Sequence, residues 1–319
     1  MHLLNKAALA ILPAVLALSA YSQQDPIFKS NTRLVVLHAT VVDRKGQLLT
    51  DLKKESFKVL ENGVEQKLTL FKREDVPITL GIIVDNSGSM KMKRKKVEQA
   101  ALALVKASNP QDEVFIVNFN DVPYLDVPVT KTLSKMEEGL ARIDSRGGTA
   151  MRDAIALSIE YIKEKGKNDK KVLLIITDGD DTASSPENTV EKTLIKAQKS
   201  EVLVFAIGLL NEESKRDAKR AERVLNALSK QSGGVAHFPS AVDDVEQVAL
   251  QVAHEVRNQY ILAYNPAKED DGTFRKILVQ AKGPGSPVVR TRSGYFAGKV
   301  EAEKPAAAAA ASGNSAVKH

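Results

Sequence analysis

The sequence predicts an α/β fold, a doubly wound and mostly parallel sheet inserted into a small β-sandwich, on three observations. Aliphatic runs at residues 78–84, 114–119, 172–176 and 202–207 alternate with helical patterns between residues 76 and 258. Strands that alternate with helices build parallel sheets covered on both faces, so they read as unbroken apolar runs. The flanking stretches, 33–75 and 259–296, are rich in β-forming residues, and each is too short to bury a core alone. Two such fragments become stable by pairing, which the closeness of an inserted domain's two ends permits. The other arrangement is two separate small β modules.

In chain order, residues 1–22 carry the pattern of a secretory signal. Lys6 supplies positive charge, residues 7–20 are apolar, and Ala20-Tyr21-Ser22 is a small-x-small cleavage site. The apolar stretch is shorter than the roughly 20 residues that a bilayer span needs. Cleavage after Ser22 is therefore expected over a retained anchor, giving an exported chain, periplasmic, secreted or at the cell surface, with no transmembrane segment. The sequence has no cysteine, which excludes disulfides and a cysteine-linked lipid.

Residues 34–42 read as a strand followed by a turn at Arg44-Lys45-Gly46. Strands at 57–60 and 64–71 flank Glu61-Asn62-Gly63, and Asn-Gly between alternating strands signals a hairpin. Within the central region helices are expected at 92–106, 133–143, 150–163, 186–199 and 215–230, and an antiparallel edge strand at 124–129. Ser240 and Asp243 open a capping-box-like start to a last helix, 241–257, whose Val245, Val248, Val252 and Val256 form a core stripe. Strands at 260–264, 274–281 and 288–292 follow, and residues 297–319, with an alanine run at 306–311, read as a disordered tail. Only 5% of residues are aromatic, which predicts aliphatic cores.

The formal charge is +6 and the pI about 9.2, which raises the possibility of nucleic-acid binding. The lysines are spread over helix surfaces, and export removes most nucleic acid from reach, so no nucleic-acid partner is expected. The densest basic run, residues 91–96, reads as a solvated helix face or as a patch that steers an acidic partner.

Three loops carry the chemistry. Asp85-Asn86-Ser87-Gly88-Ser89 follows the first buried strand, Gly147-Gly148-Thr149 precedes a helix, and Thr177-Asp178-Gly179 closes another strand. In an extended loop alternate residues face the same way, so Asp85, Ser87 and Ser89 can turn three hard oxygens toward one small cation. Such donors suit Mg²⁺, Mn²⁺ or Ca²⁺ over zinc. By itself an Asp-x-Ser-x-Ser pattern also serves as a helix cap. Loops at the carboxyl ends of neighbouring strands in an open α/β sheet, however, meet in one crevice. With all three loops in place the chain resembles a von Willebrand factor type A domain with a metal-ion-dependent adhesion site, matched at Asp85, Ser87, Ser89, Thr149 and Asp178. The flanks, at residues 57–63, 259–266 and 292–296, resemble exported bacterial proteins related to that family.

The resemblance implies that Ser87, Ser89 and Thr149 ligate a divalent ion directly, with Asp85 and Asp178 acting directly or through water. Hydroxyls are neutral donors, so an ion held mainly by them stays electrophilic and favours an Asp or Glu carboxylate offered by a protein partner. Asp180 and Asp181 read as loop solvation or as a further part of the ion site. The resemblance also suggests that the last helix shifts on binding; a rigid connector is the other reading. Two competing functions are a cell-envelope scaffold with a structural metal, and a metal-dependent hydrolase. Against the hydrolase, an aspartyl-phosphate enzyme needs a second carboxylate where Ser87 stands. There is also no Gly-x-Ser-x-Gly elbow, and no nucleophile is paired in sequence with His38, His237 or His254. The sequence therefore predicts a non-enzymatic binding module.

Overall fold

The computed structural model describes residues 34–141 and 145–298. The signal expected at 1–22, most of the tail expected at 297–319 and the last two residues of the helix expected at 133–143 lie outside the described residues.

Four strands come from the N-terminal side: β1 (Val35–Val42), β2 (Phe57–Glu61), β3 (Val64–Gln66) and β4 (Leu68–Lys72). Between β2 and β3, Asn62 and Gly63 have φ of 48° and 84°. That left-handed pair is what a two-residue hairpin turn requires, which is why Asn-Gly announced it.

The inserted domain follows as β5 (Ile78–Asp85), α1 (Arg94–Lys106), β6 (Glu113–Phe119), β7 (Pro123–Thr130), α2 (Leu133–Ala141) and α3 (Met151–Lys165). It continues through β8 (Lys170–Thr177), α4 (Val190–Ser200), β9 (Leu203–Gly208), α5 (Lys215–Ser232), β10 (Ala236–His237) and α6 (Val245–Arg257). Its six-stranded sheet runs β10-β9-β8-β5-β6-β7, parallel except for β7 at the edge. Side chains alternate between the two faces. Leu80, Ile82 and Val84 of β5 pack with α1 and α6, while Ile83, one residue out of phase, packs with α3. Gly81 leaves room for its neighbours on that second face, since a Cβ there would stand 2.3 Å from the Phe115 ring and 2.5 Å from Leu173.

The chain then returns as β11 (Tyr260–Tyr264), β12 (Phe274–Ala281), β13 (Val288–Arg290) and β14 (Gly294–Phe296). These strands pair with the N-terminal ones in two antiparallel sheets, β13-β1-β11-β4 and β14-β12-β2-β3. The α/β domain is thus inserted between β4 and β11, which are hydrogen-bonded neighbours.

Several expectations are revised. The helix expected from residue 186 starts at Val190, because the Thr189 side chain accepts the Lys192 N–H and sets the cap there. No capping box forms at Ser240; a 3₁₀ turn, Val242–Asp244, leads into α6 without a side-chain cap. The cores of the inserted domain are mostly aliphatic, with Phe115, Phe119 and Phe205 buried among them. The sandwich core instead includes a cluster of Phe57, Phe71 and Tyr260 with ring centroids 4.9 to 5.8 Å apart. No described helix is long and apolar enough to cross a membrane.

His38 illustrates how the two parts meet. It lies on the outer face of β1, where burial, then the nearby Lys170 and Arg292 cations, push its imidazole from 6.5 down to about 3. The unfolded chain therefore takes up this proton first as the pH falls, and folding loses stability from about 6.5 toward about 3. Urea midpoints measured from pH 7.5 to 4 should fall for the wild type and fall less for His38→Asn. Parallel curves would assign the acid sensitivity elsewhere.

Candidate functional site

Strands β5, β6 and β8 are adjacent and parallel, so their carboxyl ends open onto one crevice. The loop after β5 is fixed from both sides. Asn86 donates its N–H to the Phe119 carbonyl at 2.7 Å, and Gly88 donates its own to the Gly147 carbonyl at 3.1 Å. The second contact draws the Gly147–Thr149 loop against the first. Thr149 in turn exchanges bonds with Thr182, its N–H reaching the Thr182 hydroxyl at 3.0 Å and its carbonyl accepting the Thr182 N–H at 2.9 Å. All three loops marked by the sequence are therefore tied together.

Within this frame Asp85, at the end of β5, is 1% exposed. One carboxylate oxygen accepts the Ser87 N–H at 2.9 Å and the other the Thr177 hydroxyl at 2.6 Å. The Ser87 and Ser89 hydroxyl oxygens lie 3.1 Å apart, and Ser89 donates to Asp178 at 2.9 Å. The Ser89 residue is exposed while Ser87, Thr149 and Asp178 are buried, so the cluster opens to solvent on one side. Among the described residues the Thr149 hydroxyl makes no hydrogen bond.

Charge divides the two carboxylates. Asp178 is neutralised by Lys93, whose ammonium sits 2.7 Å from it and 2.7 Å from Glu212. Asp85 has no basic partner among the described residues. Burial accordingly pushes it up to about 6, against the hydrogen bonds from Ser87 and Thr177, with Asp178 adding to the rise. A buried carboxylate beside paired hydroxyls is chemically short of one positive charge, and this donor set fits a small hard cation. Among the described residues no three His, Cys, Asp or Glu side chains form a metal-holding group. Any ion here would rest on hydroxyls and at most two carboxylates.

The basic run at 91–96 is not uniformly a solvated face. Lys93 is 3% exposed and belongs to the site, whereas Lys91, Lys95 and Lys96 are exposed. Its place within the run held no clue, because only the 3₁₀ turn Gly88–Met92 aims it inward. Thr177 was missed too, although its position one residue before Asp178 at a strand end was a usable signal. Asp180 and Asp181 brace the loops. Asp181 accepts the Arg152 N–H at 2.7 Å and the Ser184 hydroxyl at 2.7 Å, and Asp180 pairs with Arg220 at 2.9 Å.

Removing Lys93 tests the charge balance. Lys93→Met leaves Asp178 buried and uncompensated, at a cost of about 3 kcal/mol, the lower end for breaking a buried pair. Denaturation in chelator should register that loss. A midpoint equal to the wild type's would show that Asp178 is stabilised by other groups.

These elements define a class: an α/β domain with an oxygen-rich crevice at the carboxyl edge of a parallel sheet. A von Willebrand factor type A domain model matches residues 80–181, the segment that runs from β5 to the loop after β8. No curated protein matches the chain. Among solved structures, a von Willebrand factor type A protein from Catenulispora acidiphila is similar with a TM-score of 0.51 at 12% identity, over 82% of this chain and 73% of that one. Proximal thread matrix protein 1 from the mussel byssus, solved with a zinc-occupied MIDAS motif, gives a TM-score of 0.51 at 14% identity. That match covers 62% of this chain and 50% of the mussel chain. The inserted domain has the von Willebrand factor type A fold.

Proposed function

We propose that the protein is an exported, non-enzymatic binding module that recognises an acidic group of a protein partner through a divalent cation, Mg²⁺ or else Mn²⁺ or Ca²⁺. The observation that carries this reading is Asp85, a buried carboxylate without a basic partner, set beside the Ser87 and Ser89 hydroxyls. Ser87, Ser89 and Thr149 would hold the ion directly. Asp85 supplies the negative charge, and Asp178, with its two oxygens engaged by Ser89 and Lys93, orients the Ser89 hydroxyl. The bound ion supplies an electrophilic position open to an incoming carboxylate. The mussel protein's metal-occupied motif supports the reading by analogy of fold. Export rests on the signal pattern at residues 1–22.

The Ser87 and Ser89 hydroxyls contact each other, an arrangement for ligation, and the carboxylate beside Ser89, that of Asp178, is already ion-paired with Lys93 and so is a poor general base for nucleophilic attack. Recognition is therefore the chemistry it suits.

Calorimetric titration of the purified protein with Mg²⁺ and Mn²⁺ tests the first step, and titration of the loaded protein with an aspartate-containing peptide tests the second. Saturable metal binding followed by metal-dependent peptide binding is expected. Metal binding without carboxylate affinity would favour the structural-scaffold reading; no metal binding by folded protein would sink the proposal.

A further inference from the structure

The sandwich and the inserted domain border an open cavity of about 640 Å³ on the side opposite the loops of the crevice, within the range of small-molecule sites. Its floor is the outer face of the sheet containing β1, β4 and β11. Alternation explains this: Val35, Leu37 and Ala39 of β1 enter the sandwich core, which turns Val36 and His38 outward. Its roof is the amino-terminal end of β8 and β9, with Lys170 and Leu203.

The charges here are unbalanced. Lys170 is 5% exposed, and its ammonium has one partner among the described residues, the Val256 carbonyl at 2.5 Å. It has no carboxylate within ion-pair distance among them, and burial, then the nearby Arg257 cation, push it down to about 7 against the weaker pull of Asp75 and Asp112. Lysines are almost never this buried unless paired, and an ammonium has three donors to satisfy. His38 Nδ1 and Arg292 Nε, both buried on the same cavity, are likewise without a partner. Arg292 spends one guanidinium nitrogen on Glu201 at 2.8 Å and lies over the Tyr295 ring, 5.5 Å from its centroid, which leaves its buried Nε free to donate. Apolar wall is supplied by Val36, Leu70, Pro77, Leu203 and Ile261, while the exposed Lys167 and Asp169, of opposite charge, also border the cavity.

The geometry points to a second binding site in this cavity, one that takes a small aliphatic carboxylate, with its head against Lys170 and Arg292 and its body along the apolar walls. One lysine lacking a counter-ion matches a single negative charge. The apolar lining matches a hydrocarbon body better than a free inorganic anion. This site is independent of the metal-dependent reading, since it lies at the other end of β5 and β8 and uses none of its residues.

Octanoate titrated calorimetrically into the purified protein in excess chelator tests it, because chelation keeps any metal from recruiting the carboxylate. Saturable binding of one octanoate per chain is expected, with octan-1-ol weaker by about tenfold or more, the weight of a buried charge-assisted hydrogen bond. Lys170→Met should lose the preference for octanoate over octanol, and Lys170→Arg should keep most of it. Equal affinity for octanoate and octanol would overturn the inference. So would wild-type octanoate binding by Lys170→Met, tighter binding of inorganic phosphate than of octanoate, or no octanoate binding at all. The wild-type arms decide the matter even if Lys170→Met does not fold.

Discussion

Asp85→Asn is expected to weaken Mg²⁺ binding by about 100-fold, the upper range for losing a group that supports a metal, while leaving the fold intact. The amide keeps the size of the carboxylate and one oxygen to accept a hydrogen bond, so either the Ser87 N–H or the Thr177 hydroxyl retains its acceptor. What disappears is the negative charge. In the folded protein without metal that charge is a liability, because burial with no nearby cation pushes Asp85 up to about 6. Deleting it should therefore cost little stability in chelator and a great deal of metal affinity. Calorimetry for the affinity and urea denaturation in chelator for the fold separate the two effects. Undiminished Mg²⁺ affinity in a folded Asp85→Asn protein would place the ion elsewhere and remove the main support for the adhesion-type reading.

Glu61→Ala is expected to destabilise the whole protein by about 3 kcal/mol, the lower end of the range for breaking a buried pair, because Arg275 keeps Asp271 as a partner. Glu61 ends β2, and its carboxylate accepts from three groups: Arg275 at 3.0 Å, Tyr264 at 2.6 Å and Tyr295 at 2.9 Å. Glu61 and Arg275 are 4% and 1% exposed, and burial together with Glu61 raises both phenols above their ordinary range. Truncation leaves Arg275 with Asp271 and the Glu269 carbonyl at the edge of the sandwich. This network joins one strand from the N-terminal side to three from the C-terminal side, so the loss should appear in unfolding of the entire chain. The double variant Glu61→Leu with Arg275→Met should lose less than Glu61→Ala, since it removes both charges. A double variant as unstable as the sum of its singles would show that packing, and not the stranded charge, carries the effect.

Most of the α/β architecture was legible because a buried parallel strand needs an unbroken apolar run, and Ile82, Ile83 and Val84 or Leu173, Leu174 and Ile175 have no other use. The turn at Asn62-Gly63 was legible because few residue pairs adopt its backbone conformation. Local rules failed where several options were chemically equal. Thr189 and Ser240 are both good caps, and only Thr189 is placed to accept an N–H.

The candidate site divides along the same line. Alternation along the extended loop after β5, a local property, singled out Asp85, Ser87 and Ser89, whereas Thr149, ahead of a helix, and Asp178, after β8, joined them through the resemblance that the three loops carry together. The counter-ion of Asp178 was not local. Lys93 lies 85 residues away in sequence and is one of several lysines in its run, and only the docking of the 3₁₀ turn against β8 selects it. Nothing in the residues around Lys170 marks it as buried either; its burial comes from the sandwich that packs over the start of β8.

What the sequence by itself determined was therefore the periodic part: which runs are strands and helices, that both flanks are β, and which oxygens stand at the strand ends. Tertiary structure alone decided which charges face each other. Periodicity is written in neighbouring residues, whereas burial of a charge and the identity of its partner depend on segments that meet only when the chain folds.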